Sequence, residues 1–457
     1  MEKIRHLYWR AGFGLSLEEW QNKRNWPITK AVDELFTNGQ QAAPITFAEA
    51  QMPETIMDIG NSGKALRRKL ERKIVATQNV DWIQRMADPK ESALVERMSL
   101  FWHGHFACRS LIGNLANNQL NTIRAHALGS FRELVLAIAR DPAMIRYLNN
   151  QQNKKNSPNE NFARELMELF TIGRGNYSEQ DIKESARAFT GWSSNLQGEY
   201  VFRMRQHDYG SKTFFGKKGN FNGEEIIDIL LEQKQTADFI TRKIYRYFVN
   251  RQVDEDIVRE LSQQFYESNY DIGQLMQTIF TSDWFYAAQN QGAKIKSPIE
   301  FMAGIIRQLN VNFEEPTSLV FVQKALGQML FNPPNVAGWP GGKNWIDNST
   351  LMLRLNLTAY LLTTSEINMR TKDEFEAQQR GKAQKKLKAT VDLLPIIRWA
   401  APLAEPDCFE SLSQWLLTKP NPLDVDFIRS MLKDQREETF IQTAVMALMS
   451  LPEYQMC

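Results

Sequence analysis

The chain has 457 residues, of which 43% are hydrophobic and 24% are charged. This balance excludes wholesale disorder, and the length is sufficient to bury a large core. Because 55 Lys and Arg residues face 53 Asp and Glu residues, the formal net charge is only +2, and the composition gives no reason to expect nucleic acid as a partner.

The N-terminal sequence has no apolar stretch of the kind that marks a secretory leader, and no run of about 18 apolar residues occurs along the chain. We therefore predict a cytoplasmic protein without a membrane span. Export together with a partner that carries its own signal stays open. Cys108, Cys408 and Cys457 are too widely scattered for a disulfide framework or a CxxC metal site.

Helix signals dominate from the N-terminus onward. A basic run at 64–73 is interrupted by Glu71 and by apolar positions, which favours the solvated face of a helix over a phosphate-binding patch. His103 and His105 would lie on one side of an extended segment, as some metal sites require, but about 200° apart on a helix. Their apolar neighbours favour a helix that runs into a turn, and hence core or capping roles for both rings.

A second polar segment follows residue 157. Ser157-Pro158-Asn159-Glu160 predicts a capping box with proline in the first turn, and Gly173 and Gly175 predict the end of that helix. The same capping pattern occurs at Ser297–Glu300 and, in weaker form, at Ser178–Asp181 and Asn222–Glu225.

The helix after residue 157 has one apolar face and one polar face. Glu160, Arg164 and Glu168 form one row at four-residue spacing, and Asn161 and Glu165 form the adjacent row. Two interpretations stay open at this point: an ordinary amphipathic helix with surface ion pairs, or a shared polar site.

Two segments read as non-helical. Residues 199–216 alternate apolar and polar side chains around a turn at Asp208-Tyr209-Gly210, which predicts a small β-hairpin with His207 and Asp208 at its turn. Residues 331–347 combine Pro, Gly, Trp339 and Trp345, which predicts an ordered loop because buried Trp demands packing while Gly and Pro oppose helix.

The sequence therefore predicts a mainly α fold with a small β-hairpin near 199–216 and an ordered loop near 331–347. We expect a main helical body over 1–368, a charged connector or exposed helix over 369–388, and a C-terminal helical part over 389–457 packed on the body. Motifs for dinucleotide-binding, P-loop, zinc-protease, α/β-hydrolase and EF-hand sites are absent from the sequence.

Long literal blocks resemble the family called domain of unknown function 1800. They include Pro158–Gly173, Ala186–Trp192, His207-Asp208 with Lys212-Thr213, and Pro333–Gly342 with Trp345. Further blocks are His6-Leu7 with Arg10-Ala11, Glu96–Met98, Phe101-Trp102 with His105-Phe106, and Lys296–Pro298. The resemblance spans roughly residues 5 to 360 and implies a helical fold without an established activity. It also implies a partner, because members are often encoded beside a protein that looks like alkaline phosphatases and sulfatases.

Because the polar face resembles the family block as closely as the apolar one, we expect a shared polar site. Its candidate catalytic residues are Glu160, Glu165, Glu168, His105, His207 and Asp208. Its candidate substrate-binding residues are Arg164, Arg187, Lys212, Trp339 and Trp345. A divalent metal is a possible cofactor, with His105, Glu160 and Glu168 as candidate ligands.

Two functions are consistent with the sequence. The first is a hydrolase or transferase that acts on a carbohydrate or on a phosphate or sulfate ester through a carboxylate, His and Arg site. The second is a non-catalytic partner or escort of the phosphatase-like neighbour, with the polar helix as a structural ion-pair core. An enzyme needs the polar face open to a cleft, whereas a scaffold buries it fully paired.

Overall fold

The structure is a computed structural model that describes residues 1–46, 60–195, 197–313, 316–363, 389–419 and 437–457, together with 427, 428, 430 and 432. Helices dominate these residues, which confirms the predicted mainly α fold. The connector expected at 369–388 lies outside the described residues.

The α-helices, in chain order, are α1 (Glu2–Ala11), α2 (Leu17–Lys23), α3 (Ile28–Gln40), α4 (Gly60–Ala87), α5 (Ala93–His105), α6 (Gly113–His126), α7 (Phe131–Arg140), α8 (Pro142–Tyr147), α9 (Asn161–Glu165), α10 (Glu179–Ala188), α11 (Gly223–Leu231), α12 (Lys234–Phe248), α13 (Glu255–Glu267), α14 (Ile272–Thr281), α15 (Pro298–Leu309), α16 (Pro316–Leu326), α17 (Asn348–Thr363), α18 (Leu394–Ala400), α19 (Glu405–Leu416) and α20 (Glu437–Met449). Short 3₁₀ turns lie at Asn150–Gln152, Met204–Gln206, Asp283–Tyr286, Gly342–Trp345 and Pro452–Gln455, and a π-helical turn, Leu166–Thr171, continues α9. None of the helices in the described part of the chain is both long and apolar enough to span a bilayer.

Three of the four predicted capping boxes are confirmed. They open α10, α11 and α15. The fourth, at Ser157–Glu160, is wrong, because α9 begins at Asn161 and Glu160 makes no capping hydrogen bond. Asn159, which precedes the N-cap residue Glu160, binds the first helical amide instead: its Oδ1 accepts from the Asn161 amide at 3.0 Å, and its own amide donates to Asn153 Oδ1 at 2.9 Å.

The β-structure consists of short antiparallel pairs among the described residues. β1 (Trp192–Ser194) pairs with β2 (Tyr200–Phe202), β3 (Lys212–Phe214) with β4 (Lys217–Gly219), and β5 (Val311–Phe313) with β6 (Ala389–Val391). The segment predicted as one hairpin therefore supplies strands to two. The reason is local: Phe215 and Gly216 both have positive φ, at 47° and 77°, which closes a two-residue turn between β3 and β4.

α5 runs through the core. Each of its residues except Gly104 is buried, although four of them are ionisable. Glu96 accepts from Arg124 on α6 and Arg97 forms an ion pair with Glu300 on α15. His103 accepts from the Phe331 amide at 3.1 Å, and His105 contacts the π-helical turn. The two histidines therefore leave a helix in different directions, as the helical interpretation predicts.

The C-terminal part packs against the first helix. Trp415 on α19 donates from Nε1 to the carbonyl of Leu15 at 3.1 Å, and Arg5 on α1 donates to the carbonyls of Gln414 and Thr418. The β5–β6 pair joins the two parts a second time.

Candidate functional site

The polar helix after residue 157 changes its winding half-way along. After α9, the hydrogen bonds of the π-helical turn Leu166–Thr171 span five residues instead of four. At its end the amides of Ile172 and Gly173 both donate to the carbonyl of Met167, at 3.1 and 2.9 Å. Turns of this kind are rare in proteins overall. Where they occur, they often lie at functional sites, because the wider turn redirects side chains. Gly173 has φ of 84° and ends the segment as predicted.

Two side chains from elsewhere in the core hold the inner side of this turn. His105 Nε2 lies 3.0 Å from the carbonyl oxygen of Phe170, and Lys243 Nζ lies 2.9 Å from that of Leu169. The same ammonium lies 3.1 Å from His105 Nδ1. Because Nε2 must carry the hydrogen to donate to Phe170, Nδ1 accepts from Lys243. Burial, reinforced by the Lys243 charge, holds the pKa of His105 well below its ordinary value, so the ring is neutral and both its nitrogens are engaged.

Glu168 lies on the outer side of the turn and is held by two partners. Tyr177 donates its hydroxyl to Oε2 at 2.8 Å, and Arg174 donates from Nε to Oε1 at 2.8 Å. Burial alone would raise the pKa of Glu168, but these hydrogen bonds outweigh it and lower the pKa. The carboxylate is therefore kept ionised and oriented.

Glu165 lies one turn before Glu168 and differs from it. Its side chain is half-buried, and no hydrogen bond or ion pair joins it to another described residue. Burial and the nearby Glu168 charge raise its pKa. Its charge also reaches the phenol of Tyr147 on α8, next to the exposed Arg109. The pKa values of the two carboxyl groups are thus shifted in opposite directions. Such a contrast divides acid and base roles between carboxyl groups in many active sites.

Arg164 ties the polar helix to α10. Its guanidinium contacts Glu179 through Nη1 and Nη2, both at 3.0 Å, and Glu160 through Nη2 at 3.3 Å. All three side chains are partly exposed. Glu160 is therefore a partner of Arg164 rather than a helix cap.

Arg187 and Asp208 form a second polar group at the other end of α10. Arg187 donates from Nε to Asp208 Oδ2 at 2.7 Å, and from Nη1 to Glu184 Oε2 at 2.9 Å. Asp208 also accepts from the Gly210 amide at 2.7 Å, which is the turn-forming hydrogen bond expected of an Asp at this position.

His207 and Lys212 complete this second group. His207 is buried, and its Nδ1 donates to the Thr190 carbonyl at 2.8 Å. Burial lowers the pKa of this imidazole. Lys212 is buried too, and its ammonium donates to the carbonyls of Asp208 and Gly210 at 2.6 and 3.1 Å. Paired in this way, the group holds the loop between β2 and β3 against α10.

The Pro-, Gly- and Trp-rich loop packs against the end of α5. Gly338 has φ of 78° and approaches the Gly104 carbonyl so closely that a Cβ atom would lie 2.4 Å from that oxygen. Trp339 is partly exposed, with its ring centroid 5.7 Å from that of His103. Trp345 is buried, with 6% of its surface exposed, which leaves it no free face for a ligand.

The structure thus brings some of the predicted residues together and separates others. Glu160, Arg164, Glu165 and Glu168 share the outer side of one helix, and α10 connects them to the group around Arg187 and Asp208. His105 contacts the inner side of the turn through backbone oxygens instead. No group of three or more His, Cys, Asp or Glu side chains in the described ranges is arranged to hold a metal ion, so this geometry gives the proposed metal no support.

A further cluster of charges was not singled out from the sequence. Cationic side chains from α1, α5, α17 and the segment before α15 surround Glu300 in the core; they are Arg10, Arg97, Lys294, Lys296 and Arg354. The only sequence signal was that several of them lie in the blocks that carry the family resemblance, since periodicity alone cannot distinguish a buried Arg from a surface one.

Residues 6–456 match the sequence model of the family described as Protein of unknown function (DUF1800). The chain belongs to this family. The DUF1800 match confirms the resemblance and extends it through the C-terminal part. No curated protein and no solved structure matches the chain. The DUF1800 description names no reaction.

Proposed function

We propose that this protein is a hydrolase or transferase that acts on a carbohydrate or on a phosphate or sulfate ester, with Glu165 and Glu168 as its reacting carboxyl groups. The observation that carries the proposal is the contrast between them: Glu168 is clamped by Tyr177 and Arg174, whereas Glu165 is half-buried without a partner among the described residues. A carboxyl group that is only structural gains nothing from such an unpaired position.

In this proposal the raised pKa of Glu165 makes it the proton donor to the leaving group. The ionised Glu168 takes a proton from the attacking water or hydroxyl, or stabilises developing positive charge. Arg164 and the exposed Arg109 and Arg174 supply cations for an anionic or hydroxyl-rich substrate.

The remaining predicted residues act at a distance in this scheme. His105 is a positioning residue that holds the π-helical turn through the Phe170 carbonyl, and Glu160 orients Arg164. The loop between β2 and β3 is held by Arg187, His207, Asp208 and Lys212. Trp339 offers a partly exposed ring on which a sugar could stack.

The test is a screen with chromogenic glycosides, phosphate esters and sulfate esters, followed by pH–rate profiles of Glu165→Gln and Glu168→Gln. We expect each variant to lose about 10²–10⁴-fold in kcat. Residual activity should lose its alkaline limb in Glu165→Gln, because the acid no longer deprotonates, and its acidic limb in Glu168→Gln.

The matched control is Glu133→Gln, which removes a carboxylate from an ion pair with Arg132 on α7. It should leave the rate and both limbs unchanged. Activity on a substrate of the screen that survives both Glu165→Gln and Glu168→Gln would refute the assignment of the reacting pair.

A second function is favoured by one surface feature. A cleft of about 530 Å³ lies between α4 and the start of α6 and is lined by Lys64, Arg67, Arg68, Glu71, Arg72, Leu111 and Ile112. Leu111 and Ile112 expose large apolar side chains there. A basic rim around apolar residues fits an acidic, partly apolar segment of a partner protein, such as the phosphatase-like neighbour that the family resemblance implies.

Co-expression with that neighbour followed by size exclusion tests this second function. We expect one joint peak that the Arg67→Glu/Arg68→Glu double variant splits. The control, Arg203→Glu/Arg205→Glu, reverses two exposed charges far along the chain and should leave the peak intact. Separate peaks for the unmodified chain would exclude a stable complex.

A further inference from the structure

The charge cluster around Glu300 is strongly unbalanced. Glu300 forms an ion pair with Arg97 at 2.7 Å and with Lys294, and its charge also reaches Arg10, Lys296 and Arg354. Five cationic side chains in the core therefore share the carboxylate of Glu300.

Most of these cations find other partners. Lys296 donates to the Tyr454 carbonyl at 2.6 Å and lies 3.3 Å from the centroid of the Trp9 ring. Arg354 donates to Gln455 Oε1 at 3.0 Å, and Arg10 donates to the Asn290 carbonyl at 2.7 Å.

Arg97 is the exception. None of its three guanidinium nitrogens, all inaccessible to solvent, has an acceptor in hydrogen-bond geometry among the described residues, although Nη2 lies within ion-pair distance of Glu300. Arg307 shows the usual arrangement for a buried Arg: Nε and Nη2 donate to Glu19 at 3.0 and 2.7 Å, and Nη1 donates to the Asp88 carbonyl at 3.2 Å.

This arrangement calls for a further acceptor. A buried lysine can release its proton, but a guanidinium keeps its charge and its five N–H donors, so the N–H groups of Arg97 that Glu300 does not engage need other acceptors. Unpaired buried donors are rare in folded proteins because each is costly.

One side chain of the cluster reaches solvent. Lys294 keeps 14% of its side chain exposed, and its ammonium lies 4.5 Å from the centroid of the Tyr247 ring. The Arg97 guanidinium lies 5.0 Å from the same centroid, so the partly exposed lysine and the buried arginine contact the same ring.

We propose that a small monovalent anion the size of chloride binds at the N–H groups of Arg97 that Glu300 leaves free, and that it enters past Lys294. Chloride fits because it accepts from N–H donors in any direction and needs little space among close-packed side chains. A phosphate or sulfate would bring more volume and a second charge.

Chloride-35 NMR line widths measured on the full chain test the proposal directly. We expect excess broadening that saturates as chloride is added and that bromide reverses. Arg97→Gln should abolish it. Lys294→Gln, which leaves Glu300 paired with Arg97, should weaken chloride binding about tenfold, the effect of losing one charged contact.

Arg307→Gln is the matched control, because it removes an equally buried but fully paired Arg and should leave the broadening intact. Absence of excess broadening in the unmodified chain would overturn the proposal. So would equal broadening in Lys294→Gln, even where Arg97→Gln does not fold. Displacement of chloride by phosphate at far lower concentration than by bromide would replace the chloride-sized site with an oxyanion site.

Discussion

His105 Nδ1 lies 3.1 Å from the ammonium of Lys243, and the two side chains together hold the carbonyl oxygens of Phe170 and Leu169. A histidine in this position has no lone pair left for a metal ion or a substrate proton. Its role is to fix the end of a π-helical turn whose outer side carries Glu165 and Glu168. The residue that the sequence offered as a ligand is thus a support for the carboxyl groups.

Lys243→Met should change how stability depends on pH between about 8 and 10.5. Burial lowers the pKa of Lys243 to about 8, so above that pH the folded protein releases a proton that the unfolded chain keeps until about 10.5. Below pH 8, keeping Lys243 charged in its buried position lowers the free energy of unfolding. As pH rises from 8 to 10.5 this penalty disappears, so the free energy of unfolding rises by about 3 kcal/mol in total. Urea unfolding of both proteins at several pH values should show a difference that varies across the window; a constant difference would contradict the prediction.

Asp141→Asn should stabilise the protein at pH 8 and have little effect near pH 4. Burial raises the pKa of Asp141 to about 7, so between about 4 and 7 the unfolded chain releases a proton that the folded protein retains. The free energy of unfolding therefore falls as pH rises from about 4 to 7, and the whole loss is present above pH 7. Asn keeps the oxygen that accepts from the Met144 amide and from Gln119, both at 2.9 Å, so we expect a gain of about 2 kcal/mol at pH 8.

The control for this prediction is Asp271→Asn. Asp271 caps α14 through the same kind of hydrogen bond, at 2.9 Å, but is exposed. Its substitution should give no gain at pH 8. Equal effects of the two variants at both pH values would show that burial of Asp141 is not the cause.

Arg307→Met should cost about 3–5 kcal/mol of unfolding free energy, because it leaves Glu19 charged and poorly compensated in a buried position. The guanidinium meets that carboxylate through two nitrogens and joins α15 to α2. Arg259→Met removes an exposed pair with Asp256 and should leave the midpoint of urea unfolding almost unchanged. Similar midpoints for the two variants would contradict a structural role for the buried pair.

Tyr177→Phe should raise the pKa of Glu168. The phenol donates to Oε2 at 2.8 Å, and this hydrogen bond favours the ionised carboxylate. Carbon-13 NMR of labelled glutamate side chains measures the shift directly and requires no substrate. Tyr266→Phe, which removes a hydroxyl that donates to the Glu232 carbonyl at 3.3 Å, serves as the control and should leave the Glu168 resonance unchanged.

The features of the fold that depend on residues close together in the sequence were predicted. The capping boxes of α10, α11 and α15 rest on side chains three residues apart, and the glycine at 173 ends its helix as the positive φ requires. The box at Ser157 failed because a longer contact, from Asn159 to Asn153, moved the start of α9.

The π-helical turn could not be predicted in this way. Its end is stabilised by His105 and Lys243, which lie 65 and 74 residues away from the carbonyls that they contact. The polar face was predicted as a candidate site, but its chemistry was not. Which carboxyl groups are clamped and which is unpaired depends on Arg174, Tyr177 and Glu179 beyond the end of that helix.

The hydrogen bond from Trp415 to the carbonyl of Leu15 spans 400 residues of sequence. During synthesis at about 5–20 residues per second, the segment after α1 waits about 20–80 s for the partner that covers it. α1 buries eight of its ten residues in the finished protein. α3 and α5 cover part of that surface early, but the side that contacts α19 and Tyr454 stays exposed until the end of the chain is made. Slow translation of the last hundred residues therefore lengthens the period in which aggregation competes with folding.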